Sequence, residues 1–89
     1  MKIDNILARL FYKALKAKKR VFDLFLNEKA NQITIDFYDD LTMPITLDGR
    51  DVEKLYTTTE NGTVEELIAA MVEAVTPWRL KQYGRQSGG

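Results

Sequence analysis

The chain has 89 residues, 13 of them basic and 13 acidic, with no Cys and no His. A chain of this length supports one domain with one modest core, and 45% apolar content is that of a folding chain. Without Cys there are no disulfides, thiolate nucleophiles or cysteine metal sites. Without His the usual general base and the commonest metal ligand are missing.

Ile3, Ile6, Leu7, Leu10, Phe11, Ala14 and Leu15 recur at helical spacing, with Lys2, Arg9, Lys13, Lys16 and Arg20 on the opposite side. This predicts an amphipathic helix from about residue 2 to residue 18. The next stretch reads in two ways. Val21, Phe22, Leu24 and Phe25 stay in phase with the helical stripe, which would extend one helix to about residue 28, although Lys18 and Glu28 would then intrude on it. Alternation gives the preferred reading, a hairpin. Phe22, Leu24 and Leu26 share one strand face, Ile33, Ile35 and Phe37 share another, and polar Asn27–Asn31 turns between them.

Residues 33–38 alternate β-branched residues with Thr34 and Asp36, as a strand does. Leu41, Met43, Ile45 and Leu47 alternate with Thr42, Pro44 and Thr46 and predict another, joined to the first by a tight Asp39-Asp40 connection. Pro44 cannot donate to a ladder, so this strand belongs at a sheet edge. Asp48-Gly49 reads as a turn. Val52, Leu55 and Tyr56 suit a short helix, although residues 56–59 would also suit an extended stretch, and Asn61-Gly62 suits a second turn. Thr63 and Glu66 have capping-box spacing. A helix from 64 to about 76 follows, striped by Val64, Leu67, Ile68, Met71, Val72 and Val75. Thr76-Pro77 interrupts it; Trp78–Tyr83 reads as a last turn, and 85–89 as a mobile tail. The expected fold is α+β, with an N-terminal amphipathic helix, a small antiparallel sheet of two or three strands and a C-terminal helix. Residues 1–84 form the expected single domain.

Charge is segregated along the chain. Residues 1–32 hold eight basic groups against three acidic, residues 33–75 two against ten, and residues 76–89 three against none. Three candidate surfaces follow. The acidic middle offers Asp36, Asp39, Asp40, Asp48, Asp51 and Glu53 to a basic face of another protein. The basic run offers Lys13, Lys16, Lys19 and Arg20 to nucleic-acid phosphates. The C-terminal stretch offers Trp78, Arg79 and Tyr83 as interface anchors. Each also has a plain structural reading: a solvated turn or helix face, a charged sheet edge that resists aggregation, or an aromatic folded over the core. If the first helix carries more apolar surface than a small sheet can bury, the surplus suits a second copy in a homodimer.

Chemistry finds little support. Ser87 is the only Ser, Thr57, Thr58 and Thr59 have no base to activate them, and the scattered glycines form no phosphate loop. Asp48-Gly49-Arg50-Asp51 opens like a calcium loop but lacks the remaining ligand spacing. No catalytic, cofactor or metal residues are therefore assigned. The longest apolar run, Leu67–Val72, has six residues against the roughly 20 of a membrane span, and Met1–Asn5 does not open like a signal peptide. The expectation is a non-enzymatic, cytoplasmic interaction or regulatory module, of the inhibitor or accessory-factor kind, acting through its charged surfaces. The alternative is a sequence-nonspecific nucleic-acid-binding protein.

Overall fold

The computed structural model describes residues 1–38 and 43–76. Among these the order is α1 (Asn5–Lys16), β1 (Phe22–Asn27), β2 (Gln32–Phe37), β3 (Ile45–Asp48), α2 (Gly49–Thr57) and α3 (Val64–Val75). The class is α+β, with one antiparallel sheet in the order β1-β2-β3.

The helix α1 starts later than its apolar stripe suggests, because Asp4 caps it. The Asp4 backbone is extended, and its carboxylate accepts the Leu7 N–H at 2.9 Å. Residues 1–3 instead run as a strap, with Ile3 fully buried ahead of the helix. At the far end, the Lys18 and Lys19 N–H groups donate to the Leu15 and Lys16 carbonyls at 3.0 and 2.9 Å. Lys19 then takes a left-handed φ of 59°. That turn ends the helix and rules out its continuation to residue 28.

The hairpin reading is the one the fold adopts. Phe22 pairs with Phe37, Leu24 with Ile35 and Leu26 with Ile33. The connecting turn is held by the Asn27 side chain, which accepts the Ala30 N–H at 3.1 Å, and by the Asn31 N–H donating to the Glu28 carbonyl at 3.2 Å. β3 pairs along β2 from Gln32↔Asp48 to Ile35↔Ile45. It lies at the sheet edge, but is shorter than the alternation predicts. The ladder begins after Pro44, which has no N–H to give it. Met43 lies outside the strand and is 82% exposed. Leu41, Thr42 and the Asp39-Asp40 connection lie outside the described residues.

Asp48-Gly49 is not a turn between strand and helix. The last residue of β3 is itself the cap of α2. The Asp48 carboxylate accepts the Asp51 N–H, and the Asp51 carboxylate accepts the Asp48 N–H, both at 2.9 Å. The reciprocal pair satisfies two otherwise free donors and lets the chain pass from strand to helix without a loop. Thr63 and Glu66 form the predicted capping box, the second in the fold, starting α3.

The core lies between one sheet face and the helices. Phe22, Ile33, Ile35, Phe37 and Leu47 from the sheet meet Ile3, Phe11 and Leu15 from the N-terminal part, Val52 from α2, and Leu67, Met71, Val72 and Val75 from α3. No charged or polar residue among those described is buried. The other sheet face carries Asp23, Phe25, Thr34, Asp36 and Thr46, with a 2.9 Å bond between the two threonine hydroxyls.

Candidate interaction surface

The helices α1 and α3 pack side by side but do not close along their outer edges. Between them runs an open cleft of about 520 Å³. From α1 and its C-terminal turn it is lined by Leu10, Ala14, Ala17 and Lys18, and from α3 by Val64, Ile68 and Val72 together with Glu65, Ala69 and Glu73. The alanines leave the hollow. The apolar arc of α1 spans about half its circumference, more than the core uses. Phe11, Ala8 and Leu15 are buried, whereas Ile6 is 70% exposed and Leu10 40%. Val64, at the start of α3, is 50% exposed. An adjoining hollow on the outer side of α1 is lined by Ile6, Arg9, Leu10, Tyr12 and Lys13.

The two flanks of the cleft differ in sign. α1 carries Arg9, Lys13 and Lys16 and no acid; α3 carries Glu65, Glu66 and Glu73 and no base. Arg9, Lys13 and Lys16 are exposed and follow i, i+4, i+7 spacing, which sets them along one side of the helix. Lys16 also leans over the tilted Tyr12–Phe22 ring pair, its Nζ 6.0 Å from each centroid. Lys19 sits in the left-handed turn, and Arg20 is half-buried at the entry to β1. The structure thus groups Lys13 and Lys16 with Arg9, and sets Arg20 apart from that row.

The acidic candidates do not gather on one surface. Asp48 and Asp51 spend their carboxylates on the α2 cap. The Asp51 N–H pulls the Asp48 carboxyl below its ordinary value against the effect of partial burial, helped by the N–H and guanidinium of Arg50. Glu53 lies 3.3 Å from the Met1 ammonium. Asp36 stands opposite Asp23 on the other sheet face, four strand residues from the position paired with Asp48, a separation of about 13 Å. Asp39 and Asp40 lie outside the described residues, as do Trp78, Arg79 and Tyr83.

Compared with protein-family models, with curated proteins and with solved structures, the chain matches none. Among the described residues, no group of three or more acidic side chains is placed to hold a metal ion. No helix among them is long and apolar enough to cross a membrane.

The sequence places Leu10, Ala14, Val64, Ile68 and Val72 in two core stripes. It does not show that the stripes diverge at their edges to leave a cleft. The available signal is the width of the arc on α1, which exceeds what a three-stranded sheet and one neighbouring helix can cover.

Proposed function

We propose that this protein is a non-enzymatic interaction module, of the inhibitor or accessory-factor kind, that binds a protein partner through the α1/α3 cleft and its oppositely charged flanks. The observation that carries this is the exposed apolar arc of Ile6, Leu10 and Val64 beside an open hollow. Exposed apolar residues contiguous with a groove and rimmed by charge are the ordinary makings of a docking surface. Opposite charges on the two rims orient whatever docks and reject the reversed pose. The segregated charge of the sequence enters through α1 and α3, while Asp48, Asp51 and Glu53 serve within the fold.

A photo-crosslinking residue at position 10 tests the reading, with position 25 as the control. Phe25 is also exposed, but it points from the other sheet face. In cells, discrete protein adducts from position 10 and none from position 25 support the cleft. Adducts only from position 25, or none from either, overturn it.

A second reading draws on the exposed row of Arg9, Lys13 and Lys16, which could follow a nucleic-acid backbone. It expects binding to short DNA or RNA whose affinity falls steeply between about 50 and 200 mM salt. Lys13→Glu with Lys16→Glu should abolish that binding. No binding at the lower salt removes this reading.

A further inference from the structure

The cleft has one flank of each sign, and that asymmetry bears on what fills it. We infer that the α1/α3 cleft docks a second copy of this chain about a two-fold axis running along the cleft; this rests on the cleft being an interaction surface.

A closed two-fold contact sets the same patch against itself. Two orientations place cleft on cleft. With the axis across the helices, α1 faces α1 and α3 faces α3, so the row of Arg9 and Lys13 opposes its own copy, and Glu65 and Glu73 oppose theirs. With the axis along the cleft, α1 of one protomer lies over α3 of its partner. Each basic flank then meets an acidic one, twice per dimer. Arg9 and Lys13, in the adjoining hollow, and Lys18, in the cleft lining, stand on the α1 side against Glu65 and Glu73 in the lining on the α3 side. A patch of either sign alone would repel its copy; this one attracts it.

Exposed apolar residues share this surface with the charged flanks. Ile6 and Leu10 stand out from α1, and Ala14, Ala17 and Ala69 leave room beside them. Burial of this surface drives association, since homodimer interfaces are more apolar than the rest of a protein surface. The charged flanks set the orientation.

The test uses the full chain and two charge-reversed variants. The first carries Arg9→Glu and Lys13→Glu, the second Glu65→Lys and Glu73→Lys. All four positions are exposed, and Glu66, which caps α3, is untouched. Circular dichroism and urea unfolding establish that each variant is folded. In sedimentation equilibrium from about 1 to 500 µM, the native chain is expected to dimerise. Each variant alone should associate about ten-fold or more weakly, because its dimer would oppose like charges. An equimolar mixture should dimerise again. In the mixed pair the acidic α1 of one variant meets the basic α3 of the other, and the converse holds at the second contact.

A native chain that stays monomeric overturns the inference. So does a dimer that both variants leave intact, or a mixture that fails to recover. Crosslinking from position 10 separates this failure from failure of the interaction reading. An adduct of twice the chain mass supports the second copy. An adduct with a different protein overturns the second copy and leaves the interaction module standing. An intramolecular adduct to residues 77–89 overturns the second copy as well, and absence of any adduct removes both.

Discussion

Asn31 links three parts of the chain that are distant in sequence. It takes the left-handed φ of 55° that closes the hairpin, a conformation Asn tolerates better than most residues. Its Oδ1 accepts the Ile3 N–H at 2.7 Å, and its Nδ2 donates to the Met1 carbonyl at 2.8 Å. Both bonds hold the N-terminal strap that carries Ile3 into the core. Gly49, at the start of α2, lies against the same bonds: a Cβ there would collide with the Asn31 amide and the Met1 carbonyl. Asn31→Gly keeps the backbone conformation and loses both bonds, so it should cost about 1–3 kcal/mol. Gly49→Ala should cost a similar ~1–3 kcal/mol through overpacking. The double variant should cost less than the sum, because removing the Asn31 side chain relieves part of the collision. Urea unfolding of the three variants measures this coupling. Lys19 makes the opposite case. Its left-handed φ of 59° disfavours a side chain, so Lys19→Gly should raise stability by about 1 kcal/mol.

Helix starts are where single elements meet pH. Glu66 accepts the Glu60, Asn61 and Thr63 N–H groups at 3.1, 3.0 and 3.3 Å and the Thr63 hydroxyl at 3.1 Å. One carboxylate thus closes the α2–α3 connection as well as capping α3. Partial burial pushes its carboxyl up, but the bonds from Thr63, Asn61 and Glu60 outweigh this and hold it below the ordinary value. Asp48 is also held low, chiefly by the Asp51 N–H. Each group titrates lower in the folded chain than in the unfolded one. The stability they contribute is therefore fully present above the unfolded carboxylate values and is lost as pH falls through the folded ones. The urea midpoint should drop as pH is lowered through the acid range. Glu66→Gln should lower the midpoint at neutral pH and shallow that drop. A variant with an unchanged acid limb would show that the Glu66 carboxylate does not contribute to it. Capping-box spacing made this legible for Thr63 and Glu66. At Asp48 the neighbouring Gly49 suggested a turn, since nothing local announces that a strand can end on a helix cap.

Across the whole molecule, one sheet face and three helices share a single core, while the edge of the helical layer is left open. Phe11 is fully buried at the centre of that core, so Phe11→Ala should cost about 3–5 kcal/mol. Ile6 belongs to the same stripe in the sequence but is 70% exposed in the fold. Ile6→Glu should change stability by no more than about 0.5 kcal/mol, while weakening association through the cleft. Thermal unfolding of the two variants, with sedimentation of the second, separates core from surface within one helical stripe.

The sequence by itself determined the class, the helical stripes of α1 and α3, the alternation of β2 and the start of α3. These follow from side-chain spacing, strand alternation and capping chemistry, all local along the chain. The tertiary structure decided what those local rules leave open. The hairpin prevailed over a long helix because Lys19 turns the chain and Phe22, Leu24 and Leu26 find partners on β2. Asp48 and Asp51 became a cap rather than part of a free acidic surface. Ile6 and Leu10 of the apolar stripe stayed outside the core, because the number of neighbours packed against a helix sets how much of its arc is covered, and no spacing along α1 records where α3 will stop.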